Sequence, residues 1–188
     1  MHAATRPLRP DQVARLLQSA AAALTGELRE LPHEVLAWHP AAGEWCAKEC
    51  LGHIVEADRR AFNGRIRTIL NTPEPTFLAW DQDAAARERN DCQRQATALL
   101  TEFLELRKDS VALVGALTEA DLERGGTHPQ VGYLRVRDLL HEWVHHDRNH
   151  FRQLLANVQA YVWPAMGNTC LFSEQSPLVP EALPLDPA

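Results

Sequence analysis

The sequence predicts an all-α fold, a four-helix bundle followed by an irregular, proline-rich C-terminal tail. Two observations predict it. Apolar residues recur at three- and four-residue spacing along four long stretches, and proline and glycine cluster between those stretches. No segment reads convincingly as a strand. The 188 residues suffice for one domain with a real core. Residues 1–165 read as that domain and residues 166–188 as the tail.

The first helix follows Pro10 and carries the stripe Val13, Leu16, Leu17, Ala20, Ala21, Leu24 and Leu28 until Pro32 ends it. A connection with Pro32, Pro40 and Gly43 leads to a second helix from about Ala47 to Leu70. Its expected inner face is Cys46, Cys50, His53, Ile54, Ala57, Ala61 and Gly64; its expected outer face is Lys48, Glu49, Glu56, Arg59 and Arg60. Cys46 stands at the helix start, where a thiol is a poor cap. Pro73 and Pro75 break this helix. The third runs from about Asp83 to Leu117 on Ala96, Leu99, Leu100, Phe103, Leu106, Val111, Val114 and Leu117. Thr118 followed by Glu119, Ala120 and Asp121 predicts a capped turn, and GGTHPQVG, residues 125–132, a loop. The fourth helix runs from about Arg135 to Val162. Beyond Pro164, Pro177, Pro180, Pro184 and Pro187 make the tail.

Composition narrows the function. Net charge is −6, which argues against a nucleic-acid partner, since a phosphate-backbone binder needs a basic footprint. No uncharged apolar run reaches the roughly 18 residues of a membrane span, so no membrane partner is expected. The four cysteines, Cys46, Cys50, Cys92 and Cys170, do not form a disulfide framework, and the N-terminus has no apolar leader segment. A cytoplasmic location is the natural expectation.

The stretch HEWVHHDRNHFRQLL, residues 141–155, holds four of the nine histidines. Helical phase divides them. His146 and His150 share a face with Val136, Leu139, Trp143 and Leu154. His141 and His145 share one with Asp138, Arg148 and Arg152, and read as solvated. Two core-facing imidazoles one turn apart need a partner, because an unsatisfied buried polar group costs about 1–3 kcal/mol. A divalent metal supplies one. The spacing matches the two histidines of HExxH, but no glutamate follows His146, so the protease motif is absent. His53, on the inner stripe of the second helix, is the best third ligand, although a single histidine there is ordinarily a hydrogen-bonded core residue. Three imidazoles leave a coordination position for water or substrate. His2, His33, His39 and His128 lie in termini or loops and carry no independent signal. Asp147, Asp58, Glu56 and Gln153 lie near enough in sequence to support the ligands, with Asp147 reading as a surface or capping charge. Arg60 reads as a solvated charge that could meet an anionic substrate. Cys46 and Cys50 read as small core residues, Trp143 as packing and Tyr133 as a candidate for the site's rim.

Two blocks then carry a resemblance. GEWCAKECLGHIVEADRRAFNGRI, residues 43–66, and GGTHPQVGYLRVRDLLHEWVHHDRNHFRQLL, residues 125–155, resemble the DinB-like superfamily of metal-dependent hydrolases and thiol S-transferases over roughly residues 10–160. The resemblance implies a four-helix bundle with a metal site in its core, and places the ligands on His53, His146 and His150. It implies a divalent ion, zinc or nickel first, and for some members a low-molecular-weight thiol such as glutathione, mycothiol or bacillithiol. It implies a small-molecule substrate and the capacity to form a homodimer. The catalytic group is then metal-bound water or a thiolate rather than an identified side chain. The alternative is a non-catalytic helical module, or a stress-related protein, in which the metal is structural.

Overall fold

The computed structural model describes residues 6–174. The four expected rods are present: α1 (Pro10–Glu30); a continuous rod made of α3 (Ala47–Glu56), a π turn (Ala57–Phe62) and α4 (Asn63–Asn71); α6 (Ala96–Gly115); and α8 (Val136–Val162). Between α1 and α3 lies the single turn α2 (His33–Leu36). Around the bundle axis α1 packs on α6 and α8, and α3 packs on the same two. The order in space is therefore α1, α6, α3, α8, with α1 diagonal to α3.

The sequence reading places one long helix over residues 83–117. The structure divides it into α5 (Gln82–Arg89), a 3-10 turn (Asp91–Gln93) and α6. Asn90 makes the break, with left-handed backbone (φ 48°) directly after α5. The α5 segment and the 3-10 turn fold back over α3. They bury two residues expected on the outer face of that helix, Lys48 and Glu56. Lys48 Nζ donates to the Arg94 carbonyl at 3.0 Å, and Glu56 receives Arg59, Arg60 and Arg89.

A second correction concerns strands. Residues 125–132 are not a simple loop, because β1 (Gly125–His128) pairs antiparallel with β2 (Gly132–Arg135), Gly125 opposite Arg135. Gly132, with φ +80°, turns the chain. Thr127 also exchanges backbone hydrogen bonds with Pro75 and Phe77, tying the exit of α4 to this hairpin. The capped turn is α7 (Glu119–Leu122), with Thr118 as its cap. After α8 come two 3-10 turns, Trp163–Ala165 and Gly167–Thr169, and the short α9 (Cys170–Glu174). They occupy the start of the tail; its prolines at 177, 180, 184 and 187 lie outside the described residues, as does His2.

The core has two apolar halves. One is built from Val13, Leu17, Phe62, Ile66, Val114, Leu140 and Trp143. The other holds Leu24, Leu51, Ile54, Leu99, Phe103 and Leu154. Between them lies a fully buried ionic clamp. Arg107 donates Nε and Nη2 to Asp58 at 2.9 and 3.0 Å, and Nη2 and Nη1 to Asp147, the former at 3.1 Å. Its Nη1 also reaches the Leu17 carbonyl at 3.4 Å, and the Trp143 indole N–H donates to Asp58 at 2.7 Å. All four rods thus meet on one guanidinium. Burial pushes the Asp58 carboxyl up to about 7, and the neighbouring Asp147 adds to the shift against the pull of Arg107 and Trp143.

Removing the cation strands two buried carboxylates, so Arg107→Met should lower stability by about 3–5 kcal/mol. Adding Asp58→Asn and Asp147→Asn to that variant should recover part of the loss. Denaturant midpoints of the single and triple variants check this; a single variant within 1 kcal/mol of the parent, on the order of a surface substitution, refutes the clamp's role.

Candidate metal centre

His53, His146 and His150 converge beside the clamp. Each offers one ring nitrogen, and the three atoms lie within 4.8 Å of one another. His53 Nε2 and His146 Nε2 are 3.1 Å apart. The ring centroids of His150 stand 4.4 Å from both of the others. Helical phase separates the adjacent histidines as expected: His145 is exposed and His146 turns inward. His141 departs from its expected solvated state. It is half-buried, accepting the Leu8 N–H at Nε2 (3.0 Å) with Nδ1 on the Arg137 carbonyl.

The electrostatics favour neutral rings. Burial pushes the His53 imidazole down to about 3, helped by the charge His150 would carry. His146 is pushed well below its ordinary value by burial and by His150, His53 and Arg107. Burial also lowers His150, opposed by Gln153 and Asp147. Neutral rings satisfy one another only in part. Of the two facing Nε2 atoms one must donate and one accept, and His146 Nδ1 is buried with no partner at all. His150 Nδ1 lies 3.0 Å from Gln153 Oε1, a carbonyl that can only accept, so Nδ1 carries the proton and Nε2 the lone pair. Three neutral imidazoles with one converging nitrogen each fit a divalent cation, which takes lone pairs and needs no proton.

Supporting residues sort as follows. Gln153 fixes the tautomer of a candidate ligand, as a ligand's hydrogen-bond partner should. Asp147 is not a surface charge: it is fully buried on Arg107. Asp58 belongs to the same clamp, and Trp143 adds an N–H to its packing role. Cys46 and Cys50 are both buried, as expected. Helix α3 starts at Ala47, with the Glu49 carboxylate accepting the Cys46 N–H at 2.8 Å in place of a hydroxyl cap. Tyr133 covers Gly125 in the hairpin.

The sequence reading missed the walls. Trp45 stands 4.8 Å from His53 and 6.3 Å from His150, ring to ring, and Trp80 stacks 6.1 Å from His53. The Arg60 guanidinium lies 5.7 Å over Trp80 while its Nε donates to Glu56 at 2.6 Å. Phe62 closes the inner side against His146. A small open cleft lined by Gly52, His53, Trp80, Gln82 and Ala86 adjoins the cluster. Gly52 is required there, since a Cβ would strike Asp91 Oδ2 at 1.7 Å.

With this geometry established, the comparisons decide the family. The family model of the DinB superfamily matches residues 16–154. The chain belongs to the DinB superfamily. A Bacillus licheniformis protein named as a candidate metal-dependent hydrolase is 27% identical over 157 residues, covering 81% of this chain and 82% of its own. YuaE of Bacillus subtilis is 25% identical over 139 residues, covering 68% and 86%. Among solved structures, YfiT of Bacillus subtilis, described as a candidate metal-dependent hydrolase with an unusual four-helix bundle topology, superposes with a TM-score of 0.74 at 18% identity over 85% of this chain and 90% of its own. An alanine variant of the mycothiol-dependent maleylpyruvate isomerase superposes with a TM-score of 0.62 at 10% identity, over 76% of this chain and 59% of its own. These structural likenesses establish the fold, a four-helix bundle.

Buried neutral histidines set a pH dependence. The ordinary imidazole value is 6.5, and His53 is held near 3 in the folded chain. Below 6.5 the unfolded chain binds protons that the folded chain refuses. Stability from this residue is therefore complete above 6.5 and falls as pH drops toward 3, by about 1.4 kcal/mol per unit. Urea titrations of the metal-free protein across this window should show a steeper decline for the parent than for His53→Gln. Superimposable profiles would contradict a buried neutral His53.

Proposed function

We propose that this DinB-superfamily chain is a metal-dependent enzyme acting on a small molecule, with a divalent ion, zinc or nickel, held by His53, His146 and His150. The observation that carries the reading is three neutral imidazoles whose ring nitrogens converge within 4.8 Å, with His53 beside a small cleft walled by Trp80. His146 and His150 are each only partly buried, so the cluster is not sealed as a purely structural site would be. When bound there, a divalent ion supplies Lewis acidity, lowering the pKa of water toward about 7 or holding a low-molecular-weight thiol as thiolate.

The chain's own residues do the rest. Gln153 holds the His150 proton on Nδ1 and so keeps its Nε2 lone pair directed away from that bond. Trp45 and Trp80 give the substrate apolar walls and thin the water around the cluster. Arg60, stacked on Trp80, offers positive charge to an anionic substrate. Hydrolysis is the first reading, because the Bacillus licheniformis relative carries that name. Thiol S-transfer would use the same centre and is an outcome of the test. The reading places the protein in the cytoplasm, able to form a homodimer, with no nucleic-acid or membrane partner. A net charge of −6 speaks against phosphate backbones, and among the described residues no helix is long and apolar enough to cross a membrane.

Elemental analysis of zinc- or nickel-loaded protein, with ester and amide hydrolysis and thiol-transfer screens on glutathione, mycothiol and bacillithiol, tests this. His53→Ala should lose one equivalent of metal per chain and more than about a hundredfold of whichever activity appears, exceeding the effect of losing a ligand's supporting partner. Unchanged metal content in His53→Ala refutes the triad. Chelator-sensitive melting with no turnover in any screen makes the ion structural.

A further inference from the structure

We propose a second metal site, built from His39, Cys46 and Cys92, that takes a soft divalent cation such as Zn2+ and pins the covering segment to the bundle. The three side chains come from separate places: the loop after α2, the residue preceding α3, and the 3-10 turn between α5 and α6. One ligand atom from each lies within 4.8 Å of the other two. A tetrahedral zinc site with bonds of about 2.0–2.3 Å separates its ligands by roughly 3.3–3.8 Å, so small side-chain movements close the site. Two thiolates and an imidazole are the donor set that selects zinc over magnesium or calcium.

A second observation supports a ligand here. Glu49 accepts from two groups of the cluster, His39 Nε2 at 2.9 Å and the Cys46 backbone N–H at 2.8 Å. A carboxylate on Nε2 leaves Nδ1 as the lone-pair nitrogen of His39, the carboxylate–histidine arrangement that orients an imidazole toward a metal. Cys50 provides the internal contrast. It is equally buried and one turn further along α3, but belongs to no such group among the described residues. The balance is simple: Zn2+ enters, two S–H bonds break, two Zn–S bonds and one Zn–N bond form, and two protons leave to solvent. The fourth position falls to water.

The site would be structural. Cys92 follows Asp91, which packs against Gly52, and Cys46 follows Trp45, a wall of the histidine cluster. A cation here fastens both to the start of α3. The site is independent of the histidine cluster and is read separately.

Cobalt tests it, because a thiolate-to-cobalt charge-transfer band in the near ultraviolet requires cysteine ligands, which the three histidines cannot mimic. The reduced full-length chain titrated with Co2+ should develop this band and release two protons per site filled. Cys92→Ala and His39→Ala are conservative at partly exposed positions. Cys92→Ala should abolish the band, and His39→Ala should weaken the binding that produces it. His53→Ala and Cys50→Ala should keep it. Circular dichroism confirms that each variant is folded. Bound cobalt without a thiolate band, or a band that survives Cys92→Ala, overturns the proposal. So does an unreduced protein whose Cys46 and Cys92 are joined as a disulfide and whose reduced form takes no cobalt on sulfur.

Discussion

One guanidinium, that of Arg107, sits in the centre of the bundle between the carboxylates of Asp58 and Asp147. Desolvating three charges is expensive, and an apolar replacement of such a cluster is often as stable. Stability alone is thus a weak account of it. Position is a better one. Each charge comes from a different rod, and Trp143 and the Leu17 carbonyl complete the shell. Sliding any rod by one turn breaks charge-assisted bonds that have no water to replace them. The clamp therefore fixes the relative heights of α1, α6, α8 and the π turn, and with them the heights of the histidines. His146 immediately precedes Asp147, and His53 lies five residues before Asp58.

A π turn begins beside Asp58. In a regular α-helix, residues five apart point about 140° from each other, at 100° per residue. His53 and Asp58 accordingly face different neighbours. His53 meets His146 while Asp58 meets Arg107, and the helix widens there, over Ala57–Phe62. Gly64 permits it. A Cβ at that position would lie 2.4 Å from the Arg59 carbonyl oxygen, which the widened turn pushes forward.

Much of this was legible in the residues, and the failures have a common cause. Helical phase separated His146 from His145 because α8 is long and regular, and it placed His53 on the inward stripe of α3. Hydrophobic periodicity is blind to charges that neutralise each other. Arg107 stands between Phe103 and Ser110 in the buried stripe of α6, and Asp147 between Trp143 and Leu154 in that of α8. Read as polar residues, both go to the surface; read as vacancies in two stripes, they point at each other. Lys48 and Glu56 were misplaced for a different reason. What covers them, Gln82 to Arg94, is distant in sequence, and no local pattern announces that it folds back. The hairpin escaped because four-residue strands opening on two glycines carry no alternation to read. Trp45 and Trp80 lie in connections, where periodicity says nothing.

The clamp also bears on the charge of the layer it shares with the histidines. Arg107 offsets one of its two carboxylates, leaving up to one negative charge when both are ionised. Burial raises the Asp58 carboxyl, Asp147 adds to the shift, and the charge of Asp147 also opposes the lowering of His150. Three neutral imidazoles add nothing to offset it. Protonating two of them would place like charges within 4.8 Å in a buried setting, which their lowered values oppose. A divalent cation on the same nitrogens needs no such crowding: it concentrates positive charge at one point and leaves every imidazole neutral. Asp147 would favour that charge at His150, while the Arg107 guanidinium opposes it at His146. The cluster thus suits a cation shared by its lone pairs better than protons on its rings.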